Sequence, residues 1–286
     1  MDRKTFLKKS ALASAALVSA GALAKSVTEE VKLEQLGFNH LPSKKDLIMS
    51  NTVLHKANTR GHANHGWLNS FHTFSFANYY NPERMNFGVL RVLNDDTVQA
   101  GMGFGTHPHR DMEIVSIPLE GDLEHKDSMG NTTVIRNGDV QVMSAGTGVQ
   151  HSEYNKNSDS LVKFLQIWVM PNRQGVKPRY DQIALKKEAR KNKFQQILSP
   201  HADDDGVWIN QNAWFYLADF EAGKSEKLDL QKKGNGFYVF LLSGKLEVGG
   251  QQLETRDGLG VWDTDALEFA ALEKSEVLVM EVPMQS

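Results

Sequence analysis

The chain has no cysteine. That one absence excludes disulfides, thiolate metal sites and a cysteine nucleophile, so any bound metal has to rest on histidine and carboxylate. A membrane-spanning run is also missing at the one place where it would be sought, because the apolar stretch Ala11 to Ala24 falls short of the roughly 20 residues that a bilayer requires. Basic patches interleaved with aromatics are lacking too. Lys186, Lys187, Arg190, Lys191 and Lys193 are broken by Glu188, and the net charge is −3, so nothing points to nucleic acid and the cluster reads as a solvated helix or linker. Histidine is scarce in the second half: of ten, only His201 follows residue 152, which places a histidine-based site in the first half. What the chain does have is apolar material for one large or two medium domains, with 40% hydrophobic residues, five Trp and fourteen Phe among 286.

The first 24 residues read as an export signal. Arg3, Lys4, Lys8 and Lys9 precede the apolar stretch, and Ala22-Leu23-Ala24 is a small-residue cleavage site. Asp2 to Lys8 resembles a twin-arginine signal with Lys in place of the second Arg, which leaves the general secretory route open. A periplasmic or secreted location follows as an expectation, with no membrane attachment after cleavage. Residues 25–50 are polar and weakly patterned, a linker.

From residue 51 short apolar or alternating runs recur between turn signals: Phe87 to Leu93, Glu113 to Leu119, Thr132 to Ile135, Val140 to Met143 and Val162 to Met170. Such spacing indicates an all-β sandwich or barrel. Residues 174–200, rich in Lys, Gln and Arg, read as a connector. A second strand series occupies 201–286, and Phe237 to Gly250 echoes Ile114 to Asn131 in outline, so two β-barrels in tandem are expected, the first over 51–173.

His107-Pro108-His109 is an i, i+2 pair whose side chains share a face of an extended strand. His151-Ser152-Glu153 repeats the pattern after the turn Ala145-Gly146-Thr147-Gly148. If the two strands face each other across a barrel, the pairs supply three imidazoles and one carboxylate to one point. That set suits first-row divalent ions. Four protein ligands leave up to two positions of an octahedron open for reaction, although a closed tetrahedral zinc site also fits.

The segment Gly101 to Gly121, with His107, His109 and Glu113, resembles the first cupin motif, and Gly138 to His151 resembles the second, with Ser144 where proline is usual. Among cupins the chain is most similar to the pirin family, through Gly66 to Phe76, His107 to Glu113 and Gly138 to Gly146. Asp111, where glycine is common, and Gln150 are departures that bear on the pocket. The resemblance implies an all-β fold of two tandem jelly-roll-like cupin barrels. It implies a metal site in the N-terminal barrel only, on His107, His109, His151 and Glu153. Glu113, a ligand in many other cupins, is then expected beside the site. The implied cofactor is one divalent transition-metal cation, iron foremost, with nickel, manganese, cobalt, copper or zinc compatible.

The short C-terminal half resembles that of bacterial pirins with quercetinase activity, which implies oxidative ring opening of a flavonol by O2 with release of carbon monoxide, and Glu153 as base for the flavonol proton. The alternatives are a metal-binding interaction protein, as eukaryotic pirins are thought to be, and a cupin dioxygenase or isomerase with another substrate. The second barrel, with Lys232 to Gly236 at the ligand positions, cannot reproduce HxH and is expected to close one side of the pocket. His62 and His65 read as loop histidines, and the aromatic stretch Trp67 to Phe76, with His72, reads as barrel core.

Overall fold

The runs bounded by turn residues become strands, and among the described residues the helical turns are two of 3-10 type, Ala57–Thr59 and Lys187–Arg190. The computed structural model describes residues 51–285; the expected leader and linker, 1–50, lie outside the described residues. In chain order the strands are β1 (Asn51–His55), β2 (Gly61–Asn64), β3 (Leu68–His72), β4 (Leu90–Val98), β5 (Gly103–His109), β6 (Glu113–Glu120), β7 (Leu123–Asp127), β8 (Thr132–Ile135), β9 (Asp139–Ser144), β10 (Val149–Asn155), β11 (Val162–Val169) and β12 (Arg179–Ala184). The second series is β13 (Gln195–Ser199), β14 (Val207–Trp208), β15 (Trp214–Phe220), β16 (Ser225–Asp229), β17 (Asn235–Ser243), β18 (Lys245–Val248), β19 (Gln251–Glu254), β20 (Gly258–Trp262), β21 (Ala266–Ala271) and β22 (Ser275–Pro283).

Each barrel has one large and one small sheet. The first is built from β12-β9-β6-β11-β4-β3-β2 and β5-β10-β7-β8, the second from β1-β20-β17-β22-β15-β13-β14 and β16-β21-β18-β19. The domain limits differ from the sequence expectation in two ways. β1 falls within the span 51–173 yet pairs with β20 of the second barrel, Thr52 opposite Val261. Residues 174–200 are more than a connector, because β12 pairs along β9 and β13 pairs with β15. β12 is an edge strand, half-buried almost throughout, so it lacks the apolar alternation that marks a strand. Of the basic cluster, Arg190 and Lys191 are tied to Asp219 and Glu221.

Period-two alternation divides the residues of the first large sheet between two destinations. Val115, Ile117, Val142, Leu165 and Ile167 face the second barrel and pack with Phe215, Phe240 and Met280 in one buried cluster, each contributing about 1.5–3 kcal/mol relative to exposure. The alternate residues point into the first barrel. There two small apolar clusters, one around Phe164 and Leu123 and one around Ile114 and Met143, share the interior with buried Ser116, Gln141, Asn94, Asp96 and Gln166. The second barrel is filled instead by Trp214, Phe220, Phe237, Val239, Leu246 and Phe269. One interior is polar and the other is packed shut.

Candidate metal centre

β5 and β10 are hydrogen-bonded neighbours in the small sheet, with His107 directly opposite His151. Residues paired in this way project from the same face, so the HxH and HxE pairs lie side by side rather than across the barrel. The register shifts between His151 and Glu153, which lies opposite Phe104; such a bulge re-aims a side chain. Gly103 permits the close approach. A Cβ there would overlap the Glu153 carbonyl oxygen and stand 2.5 Å from Tyr154 Cα.

His107, His109 and His151 bring one ring nitrogen each to within 4.8 Å of the others. His107 Nδ1 donates to the Gly105 carbonyl at 2.8 Å, which leaves its Nε2 as a bare acceptor. His151 Nε2 is buried and has no hydrogen-bond partner. Burial, aided by His107, pulls His109 down to about 4, and burial with the neighbouring His107, His109 and His125 pulls His151 lower still. These two imidazoles are therefore neutral at physiological pH, as metal ligation requires. A buried nitrogen without a partner, among three convergent imidazoles, fits a divalent transition-metal ion and little else.

Glu153 stands beside this trio rather than in it, grouped instead with His125 and His151. Gln166 Nε2 donates to its carboxylate at 2.6 Å, and the Ser116 hydroxyl lies 3.1 Å away. Burial pushes Glu153 up to about 7 against those two hydrogen bonds.

The structure adds a pair that the sequence reading passed over. His125 and Asp127 lie on β7, which flanks β10 on the side away from β5, with Asp127 opposite His151 and His125 opposite Glu153. Asp127 accepts from the Met129 and Asn131 amides and the Asn131 side chain. Burial opposes ionisation of Asp127, but those bonds and His125 outweigh it and hold the carboxyl below its usual range. His125 Nε2 lies 3.0 Å from Asp127. Donating there leaves His125 Nδ1 to accept from His151 Nδ1, a long contact of 3.4 Å. A proton on His151 Nδ1 means a lone pair on Nε2, the buried nitrogen that has no hydrogen-bond partner. The signal was available: His125-Lys126-Asp127 is a third i, i+2 pair on a strand.

Glu113 is not beside the site. It shares the parity of Val115 and Ile117, so it leaves the barrel interior, accepting from Ser144 at 2.7 Å and Asn210 at 3.1 Å. The site opens instead into a cavity of about 650 Å³ with Trp67, Phe76, Tyr79, Phe104 and Trp168 in its walls. Every lining residue comes from the first barrel. The second barrel packs on the outer face of the large sheet and closes no part of this pocket. The Trp67 to Phe76 stretch lines the cavity as well as packing the core, because its alternate residues face inward. His62 stacks on Phe71 and bonds Asn69 at 2.6 Å, yet it and His65 also reach the cavity rim.

Asp96, also in this wall, is pushed from 3.8 up to about 7 by burial, opposed by Ser70 and reinforced by Asp95 and Glu153. Because the folded state holds this proton more tightly than the unfolded chain, stability falls as pH rises from about 4 through 7. Asp96→Asn, which keeps an acceptor for Ser70, is expected to match the wild type near pH 4 in the metal-free protein. At pH 8 it should be more stable, by on the order of 4 kcal/mol. Thermal melts across that range check this, and parallel curves would refute it.

Comparison with known proteins gives a consistent result. A family model described as Pirin matches residues 53–169, and one described as the quercetinase C-terminal cupin domain matches 196–282. A quercetin 2,3-dioxygenase of Escherichia coli (strain K12) is 45% identical over 234 residues, 80% of this chain and 98% of the relative. A pirin-like protein of Caulobacter vibrioides is 40% identical over 222 residues, 77% and 95% of the two chains. The crystal structure of YhhW from Escherichia coli superposes with a TM-score of 0.78 at 43% identity, over 82% of this chain and 100% of that one. The bacterial pirin YhhW in complex with nickel(II) gives 0.77 at 43% identity, over 82% and 99%.

Proposed function

The chain belongs to the pirin family, and from that premise we propose that it is a metal-dependent quercetin 2,3-dioxygenase, an oxidoreductase that opens the central ring of a flavonol with O2 and releases carbon monoxide. The observation that carries this reading is the meeting of the three-imidazole cluster with an aromatic-walled cavity, since His107, His109 and Glu153 line the space of about 650 Å³ that Trp67, Phe104 and Trp168 enclose, with His151 buried behind them. A flat polyphenol fits a pocket of that size and character.

His107, His109 and His151, with Glu153 beside them as the carboxylate ligand, would hold the ion, which when bound supplies a Lewis acid that lowers the pKa of an oxygen acid beside it. Glu153 takes the flavonol hydroxyl proton: its pKa near 7 suits a base working at neutral pH. Gln166 and Ser116 fix the carboxylate by one hydrogen bond to each oxygen, in the wall of the cavity. The aromatic walls keep water from the ring while it is oxidised. A donor set of imidazole and carboxylate accepts most of the first row, and the nickel(II) complex of YhhW puts nickel beside iron as the ion to test first.

The test is loss of quercetin absorbance together with carbon monoxide release, under air and under argon, after loading with iron, nickel, manganese, cobalt or copper. Oxygen-dependent turnover with at least one ion is expected; none with any would sink the proposal. We also propose export through residues 1–24. The mature protein from an extracellular or periplasmic fraction should begin at Lys25 by intact mass, and an unprocessed cytoplasmic chain would contradict this.

A further inference from the structure

One wall of the cavity is polar in a way that the metal centre does not use. Ser70 and His72 on β3 lie opposite Asp96 and Asn94 on β4, all four point inward, and all four are no more than 3% exposed. Their internal bonding is incomplete. Ser70 donates to Asp96 Oδ1, while Asp96 Oδ2 makes no hydrogen bond among the described residues and lies in the cavity wall. His72 Nδ1 and Asn94 Oδ1 are buried without partners. Buried polar groups left unpaired are costly, and side chains that line an open cavity can recover that cost from a ligand.

The charges around this wall restrict the ligand. Asp95, on the other face of β4, is bridged by Arg60 and Arg256, but among the described residues Asp96 has no salt bridge and no lysine or arginine lines the cavity. Two carboxyl groups, Asp96 and Glu153, do line it. Burial holds His72 neutral, down at about 4. Above about pH 7, where Asp96 is ionised, the wall therefore offers a carboxylate acceptor to hydroxyl donors and no lysine or arginine to neutralise an anion.

We propose that Ser70, His72, Asn94 and Asp96 form a subsite that binds ring hydroxyls of a neutral polyphenol, with Asp96 setting the preference for hydroxylated over bare or anionic rings. This rests on the flavonol reading above and sharpens it. The hydroxyls concerned are those beyond the oxygens at the metal, and the recognition works by the asymmetry that an unpaired buried acceptor imposes on an analogue lacking the donor.

The experiment is equilibrium binding under argon to the metal-loaded protein, with 3-hydroxyflavone, quercetin and a ring-sulfonated quercetin as probes. All three keep the metal-facing oxygens and differ in the rest of the ring system. Quercetin is expected to bind at least tenfold tighter than 3-hydroxyflavone, and the sulfonate at least tenfold weaker than quercetin. In Asp96→Asn the quercetin to 3-hydroxyflavone ratio should fall to within about threefold, which follows the loss of one hydrogen-bond acceptor. Equal binding of quercetin and 3-hydroxyflavone by the wild type would overturn the subsite while leaving the flavonol reading intact, as would an unchanged ratio in the variant. Failure of every flavonol to bind, 3-hydroxyflavone included, would overturn the flavonol reading itself.

Discussion

Replacing His151 with alanine is expected to yield a folded protein that retains little metal after dialysis and turns over no quercetin. Losing one of the converging imidazoles is expected to cost at least a hundredfold in metal affinity, about 3 kcal/mol. Folding should be spared, because His151 makes one weak side-chain hydrogen bond, to His125, its Nε2 is unpartnered in the fold, and its ring packs only on the other imidazoles of the cluster. Removing it leaves no strong bond unmade. The circular dichroism spectrum and melting temperature should stay near those of the metal-free wild type, while the metal content by elemental analysis collapses. Full occupancy in the variant would show that the ion sits elsewhere, and the overlapping group of His125, His151 and Glu153 could not be the refuge, since it shares the lost residue.

Asp127→Asn tests the same nitrogen from behind. The aspartate can only accept from His125 Nε2, which fixes a proton there and a lone pair on Nδ1. An asparagine can present its amide instead. His125 would then carry its proton on Nδ1, facing the proton on His151 Nδ1 across 3.4 Å. Relief of that conflict moves the His151 proton to Nε2, the atom needed for metal. Partners of this kind are worth about 10–100-fold in metal affinity, so a competition titration should show a loss in that range. Nitrogen-15 spectra of the metal-free variant should show the His151 tautomer reversed. Unchanged affinity with an unchanged tautomer would mean that the pair only supports the fold.

The three clustered histidines were legible because period-two spacing is a local property: HxH and HxE each declare a shared face without knowledge of the partner strand. Their arrangement was not legible. Whether two such strands face each other or lie side by side depends on a register, His107 opposite His151, set by residues far away in the chain. Glu113 shows the same limit. Its nearness to His109 in sequence suggests nearness in space, yet the tight turn at Asp111, with φ of 46°, and one strand's parity send it out of the barrel. His125-Lys126-Asp127 satisfied the rule that found the other two pairs. It was passed over because no motif drew attention to it. The edge strand β12 escaped for a different reason, since a strand buried on neither face has no hydrophobic period to detect.

β1 carries a consequence for dissecting the molecule. It precedes every strand of the first barrel, yet it completes the second, lying along β20 with His55 bonded to the Tyr238 hydroxyl at 2.9 Å and Asp257 holding the Lys56 side chain and the Ala57 amide. The two barrels are thus sewn together rather than strung in series. A cut anywhere between residues 174 and 200 frees neither half, because the metal-bearing half keeps a strand that the other half needs. A C-terminal fragment on its own would expose the bare hydrogen-bonding edge of β20, an invitation to pair with another chain. Separating the first barrel from the second would require moving residues 51–57 to the other fragment.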